Sequence, residues 1–235
     1  MNTSRHSKAN RPFRLRPATA GLFVFLGWAL AACGSAPTTR YHTLMPAAGL
    51  LAPVPANPTV GWTLATVSVP AQVDQPQWLV RLSDDSMRLL EHERWVAPLA
   101  DELQGAFGEA LARRLGAPGL TPTTSGKRWR VRIEVQRFDS APAQHVAIVV
   151  DWTLTATMAA PVAAGLPASL PASLPASMSG GPLEWRCRDA MRQAVAGGVP
   201  ALAEAHRQAV VQIADRIAAA LQAVDSGQPA RCPGA

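Results

Sequence analysis

Strict alternation marks the middle of the chain. In residues 128–135 (RWRVRIEV), Trp129, Val131, Ile133 and Val135 fall on one side and Arg128, Arg130, Arg132 and Glu134 on the other. That is the pattern of a strand with one buried and one solvated face. Residues 145–157 repeat it with Val146, Ile148, Val150, Trp152 and Leu154, and Leu183, Trp185 and Cys187 then alternate with Glu184, Arg186 and Arg188. Three such runs in succession predict an antiparallel meander. Shorter strands are expected earlier, over 40–44, over 59–69 before Pro70, and as a hairpin of 77–82 and 86–90 turning at Ser83-Asp84-Asp85. The two aspartates read as a solvated turn. From Pro98 to Leu115 the period changes to about four, with Leu99, Leu103, Phe107, Leu111 and Leu115 in one stripe. Pro98 suits a first helical position, Asp101 and Glu102 the positive end of the dipole, Arg113 and Arg114 the last turn and Gly116 the stop. A second helix over 199–224 puts Leu202, His206, Val210, Ile213, Ile217, Leu221 and Val224 on one face. On that face His206 reads as a packed residue, not a ligand. The expected architecture is α+β: an antiparallel or mixed sheet packed with two main amphipathic helices.

Where the periods stop, the chain changes character. Residues 46–58 hold four prolines, and residues 166–177 read LPASLPASLPAS within a low-complexity stretch, 160–182. Proline at every fourth position forbids a helix or central strand, so this stretch is expected to be an extended hairpin loop. At the start, Arg5, Lys8, Arg11, Arg14 and Arg16 precede about fifteen apolar or small residues, 18–32. That run is too short to span a bilayer and has the length of a secretory signal's apolar core. It ends on Leu30-Ala31-Ala32-Cys33, which resembles the bacterial lipobox, in which the thiol is acylated and the chain is cut before it. Residues 1–32 are therefore expected to be a cleaved lipoprotein signal. Cys33 becomes the lipid attachment, 33–39 a tether, 40–225 one domain and 226–235 a flexible tail. Gly34, in place of an aspartate, favours the outer membrane by resemblance to enterobacterial sorting.

The cut also changes the charge. The full chain of 235 residues carries 22 Lys and Arg against 16 Asp and Glu. Five of the cations and none of the acids lie in residues 1–32, which leaves 17 against 16, a net of +1. Most of the basicity belongs to the signal, so nucleic-acid binding loses its main support. Local basicity remains. In a meander, Arg128, Arg130, Arg132, Arg186 and Arg188 share one sheet face with Asp151 and His145 between them. That face is either solvated and locally ion-paired, or it meets lipid phosphates or an acidic partner surface. An oxidising compartment permits a disulfide between Cys187 and Cys232; a free, buried Cys187 is the alternative. The sequence holds no Gly-x-Ser-x-Gly, His-Glu-x-x-His, Cys-x-x-Cys or Gly-x-x-x-x-Gly-Lys motif, and the four histidines left after the cut have no metal-site spacing. No nucleophile with its base is nominated, no metal or cofactor is expected, and an enzyme is not the expected class.

In the mature part, YHTL (41–44), VSVPAQVDQPQWLVR (67–81), ERWVAPLADELQGAFGEALARRL (93–115), RVRIEVQRFD (130–139) and the last helix (197–221) occur in this order. Together they resemble the PqiC-type (paraquat-inducible protein C) auxiliary lipoproteins of ABC and MCE transport systems. Glu93-Arg94-Trp95-Val96-Ala97-Pro98-Leu99 is the most telling segment. Gln75 and Gln77-Trp78, the LPAS repeat and the cysteine-bearing tail depart from the family pattern. The resemblance implies an α+β domain related to the N-terminal domain of TolB. It also implies a non-catalytic docking subunit on the periplasmic face of the outer membrane, in a ring of identical subunits. Its partners would be an MCE-domain tunnel protein (PqiB-like) and that system's inner-membrane components, supporting envelope integrity. A structural lipoprotein assisting another envelope complex is the alternative.

Overall fold

The computed structural model of the chain describes residues 37–46, 54–55, 60–119, 127–158 and 183–232. The signal, Cys33 and the LPAS repeat lie outside the described residues. Among the described residues, seven strands and two helices follow in the order β1 (Arg40–His42), β2 (Trp62–Leu64), β3 (Gln77–Arg81), β4 (Met87–Trp95), α1 (Leu99–Leu115), β5 (Lys127–Ala141), β6 (His145–Met158), β7 (Glu184–Ala194) and α2 (Val199–Asp225). They form two sheets, β1-β4-β3 and β2-β5-β6-β7, with β1–β4 and β2–β5 parallel and the other pairs antiparallel. The fold is α+β, with mixed sheets and two helices, and β5, β6 and β7 form the expected meander.

The long strands exist because their apolar positions alternate onto one layer. Trp129, Val131 and Ile133 of β5 and Ile148, Val150, Trp152 and Leu154 of β6 are all fully buried. The two helices cover that layer with Leu99, Leu103, Phe107 and Leu111 from α1 and Leu202, Ile213, Ile217 and Leu221 from α2. Pro98 caps α1, and the Gly116 N–H donates to the Ala112 carbonyl at its end. Glu102, buried on α1, accepts from the Leu44 N–H at 2.8 Å and the Thr43 hydroxyl at 2.6 Å. Those two bonds pin the segment after β1 to the helix.

Several strands differ in extent from the sequence expectation. The strand expected over 59–69 pairs only at Trp62–Leu64, with a separate bridge from Ser68 to Glu134. β4 runs on to Trp95 because β1 pairs with its far end, Arg40 to Glu93 and His42 to Trp95. β5 continues past Val135 to Ala141 through an irregularity between Val135 and Arg137. An extra residue there shifts the parity; Phe138 to Ala141 are all buried, and Phe138 and Ser140 are the two that meet His206 of α2. The β5–β6 turn is closed by Gln144 N–H to the Ala141 carbonyl, with Ala143 at φ 57.

Candidate functional site

One outward face and one buried polar seam are the main places where this domain carries chemistry. The face is that of the four-stranded sheet opposite the helices. Directly paired residues project to the same side of a sheet, so the register lays out rows. Thr63, Arg130, Thr155 and Glu184 form one row, Arg132, Thr153 and Arg186 the next, and Glu134, Asp151 and Arg188 the third. Arg128, two residues before Arg130, belongs to the same face. Sequence spacing thus brings Arg128, Arg130, Arg132, Arg186 and Arg188 together, and the structure shows what offsets them. Arg188 grips Asp151 through two bonds of 2.7 and 2.9 Å, and that pairing holds the Asp151 carboxyl below the usual carboxylate range. Arg186 reaches Glu184 at 3.2 Å, while Arg132 lies 3.9 Å from Glu134. Arg130 has no hydrogen-bonding or ionic partner among the described residues. His145 lies at the far end beside Arg192, where burial and that guanidinium push its pKa down. The face therefore mixes guanidinium, hydroxyl and carboxylate groups and is not a continuous cationic patch.

The seam lies where β3 abuts the end of β5. The Trp78 indole N–H donates to Ser140 Oγ at 3.0 Å, and Ser140 Oγ lies 2.8 Å from His206 Nε2 on α2. Indole can only donate, so Ser140 Oγ accepts from Trp78; its second lone pair accepts from His206 Nε2–H in one ring tautomer, and its own proton goes to Nε2 in the other. A Ser–His bond of this length has the geometry of a nucleophile and its base. Two observations remove that reading. Ser140 and His206 are fully buried, and His206 Nδ1 meets no orienting acceptor among the described residues. The nearby Asp139 carboxylate is instead taken by Arg81, at 3.0 and 3.2 Å, and by Arg137 at 2.9 Å. His206 stacks on Phe138 at 3.9 Å and 12°, so it is a packed histidine, as its place on the apolar stripe predicts. Sequence reasoning missed its partners, since Ser140 lies beyond the irregularity in β5.

Cys187 lies on the buried side of β7, and the structure joins it to Cys232, with Cα atoms 5.3 Å apart. A second inward residue of β7, Asp189, is buried and bonded to Arg216 of α2 at 2.5 Å. The Leu183-Trp185-Cys187 alternation, carried two residues further, points to it. Between α1, α2 and the segment after β1 lies an open groove of about 720 Å³ lined by Met45, Arg113, Arg207, Gln208 and Val211 among others. Among the described residues no cluster of His, Cys, Asp and Glu could hold a metal ion, and no helix is long and apolar enough to cross a membrane.

A family profile described as ABC-type transport auxiliary lipoprotein component matches residues 42–218. The crystal structure of an uncharacterized protein superposes with a TM-score of 0.53 at 17% identity, covering 78% of this chain and 98% of that one. A Xanthomonas campestris protein of family DUF330 gives a TM-score of 0.50 at 17% identity, with 81% and 97% covered. At that identity these two likenesses speak for the fold alone. No curated protein matches the sequence. The profile takes in every element from the end of β1 through most of α2, and the chain belongs to the family of ABC-type transport auxiliary lipoprotein components, the PqiC-type group that the ERWVAPL segment and its neighbours resemble.

Proposed function

We propose that the mature protein starts at Cys33, is acylated there, and sits on the periplasmic face of the outer membrane. In this role it is the docking subunit of an MCE-type system that moves lipid between the two membranes. One observation carries this reading: the family match begins at residue 42, nine residues after a cysteine that ends a short apolar signal run. Each buried methylene of an acyl chain adds about 0.8 kcal/mol of membrane affinity, so two or three chains give stable anchoring where one alone is marginal. The domain itself then has coupling to do and no covalent chemistry. A ring of identical subunits would present the same face repeatedly to the end of a tunnel protein. The outward arginines of β5 and β7, Arg130 above all, are the groups offered to an acidic surface of that partner.

Purification of the full chain from membranes in mild detergent, with the transport system co-expressed, tests this. An MCE-domain protein is expected to co-purify, and Arg130→Glu with Arg132→Glu is expected to weaken its recovery several-fold. Absence of any MCE-domain protein with the partner present would overturn the docking role. Cys33→Ser is expected to move the protein from the membrane to the soluble envelope fraction.

A further inference from the structure

The three-stranded sheet departs from the usual rule for a sheet with one open face. Its inner side is apolar, as expected, with Trp78, Val80 and Trp95 buried and Trp78 stacked on Trp95 at 4.0 Å. The outer side also carries large apolar groups, set among Arg94, Gln77 and Arg81. The register sets Tyr41, Arg94 and Gln77 in one row, Leu89 and Leu79 in the next, and Met87 and Arg81 in the third. Tyr41 is 63% exposed, Met87 43% and Leu89 40%, and Val96, just past the end of β4, is 63% exposed. On the other sheet the matching positions are arginine, threonine and glutamate. An antiparallel sheet with a solvated face puts polar groups there, so this second apolar face is built to be covered.

Chain connectivity says by what. β1 is the first strand of the domain, and Tyr41 is eight residues from Cys33. At 3.6 Å per residue the contour between them is at most about 29 Å. A membrane holding a lipid on Cys33 is therefore always within reach of this sheet. The side chains fit an interface. Tyrosine has an apolar body and a polar tip, and Arg94, paired with Tyr41, can turn its guanidinium to lipid phosphates while its stem lies on the apolar surface. The acids nearby are partly offset, since Glu93 bonds His42 at 2.5 Å and Arg40 at 3.5 Å, although Glu91 is exposed. The face is also small. Three strands are about 10 Å wide, and the longest, β4, runs nine residues or about 30 Å. That footprint is below the roughly 800 Å² per partner of a stable protein interface.

We infer that the outer face of β1-β4-β3 rests on the phospholipid surface beside the lipid anchor, at the boundary of headgroups and acyl chains. This rests on the anchoring of Cys33 proposed above. The acyl chains supply affinity, and the sheet contact supplies orientation. Because Trp78 on the inner side faces His206 of α2, a seated sheet directs the solvent side of α2 away from the bilayer.

The test uses the full-length acylated protein in phosphatidylethanolamine–phosphatidylglycerol vesicles. Its three cysteines are occupied by acylation at Cys33 and by the bond of Cys187 to Cys232, so an introduced cysteine is the only free thiol. Leu89→Cys and, separately, Tyr41→Cys carry a polarity-sensitive fluorophore; Gln212→Cys on the solvent side of α2 is the reference. Lipids spin-labelled near the headgroup are expected to quench positions 89 and 41 several-fold more than position 212, with a blue shift at both. Equal quenching at all three positions in vesicle-bound protein would overturn the inference while leaving the anchor standing. Self-quenching at 89 that grows with protein density, without quenching by lipid, would overturn it in favour of a second copy. Protein that does not float with the vesicles would overturn the anchor, and the seated sheet with it.

Discussion

His206 has no contact with water, and burial pushes its pKa down to about 3. An unfolded histidine titrates near 6.5. Between those values the unfolded chain binds a proton that the folded chain refuses. Stability is therefore complete above about pH 6.5 and falls as pH drops toward 3, at about 1.4 kcal/mol per pH unit. Denaturation midpoints recorded from pH 7 to pH 4 are expected to decline, and His206→Met is expected to flatten the slope whatever it does to the plateau. Parallel profiles for the two proteins would remove this account. The same residue shows how far a sequence reaches at this scale. Its helical phase alone places it in the core. Its bond with Ser140 depends on an extra residue in β5 and on Trp78 from a distant strand, and neither has a sequence signal.

At the scale of elements, α2 is tied to β7 by packing and by one buried charge. Asp189 has a fully buried side chain and one partner, Arg216, and its second carboxylate oxygen has none among the described residues. Removing the guanidinium leaves a buried charge unpaired, which costs about 3–5 kcal/mol, whereas removing both groups in favour of apolar ones costs little. Arg216→Met is expected to lower unfolding free energy by that amount, and Asp189→Leu combined with Arg216→Met to recover most of it. The cycle is read by urea denaturation, and additive losses would contradict it. Both helices and the meander were legible because their periods are long and clean. The extents of β2 and β4 were not, because β1 and β2 lie in parallel pairs with strands far along the chain. Such pairing is set by packing and leaves no local pattern.

For the whole molecule, the bond from Cys187 to Cys232 returns the chain end to the sheet across a separation of 45 residues. A loop of that length is worth about 4 kcal/mol in the chain-entropy account, and 2–4 kcal/mol is the common range for disulfides. Reduction, or Cys232→Ser, is expected to lower the unfolding free energy by that amount at neutral pH; an unchanged denaturation midpoint would show that the tail adds nothing. The sequence by itself determined the α+β class, the meander with its five outward arginines, both helices and the expectation of a lipid at Cys33. Those follow from periodicity, charge alternation and a short apolar run, all of which are local. Only the tertiary structure decided which arginines are offset by carboxylates, that a Ser–His pair is sealed from water, and that one sheet keeps an apolar outer face. Each of these depends on what the folded chain lays against a residue, and contacts between distant segments are not written in the spacing of either one.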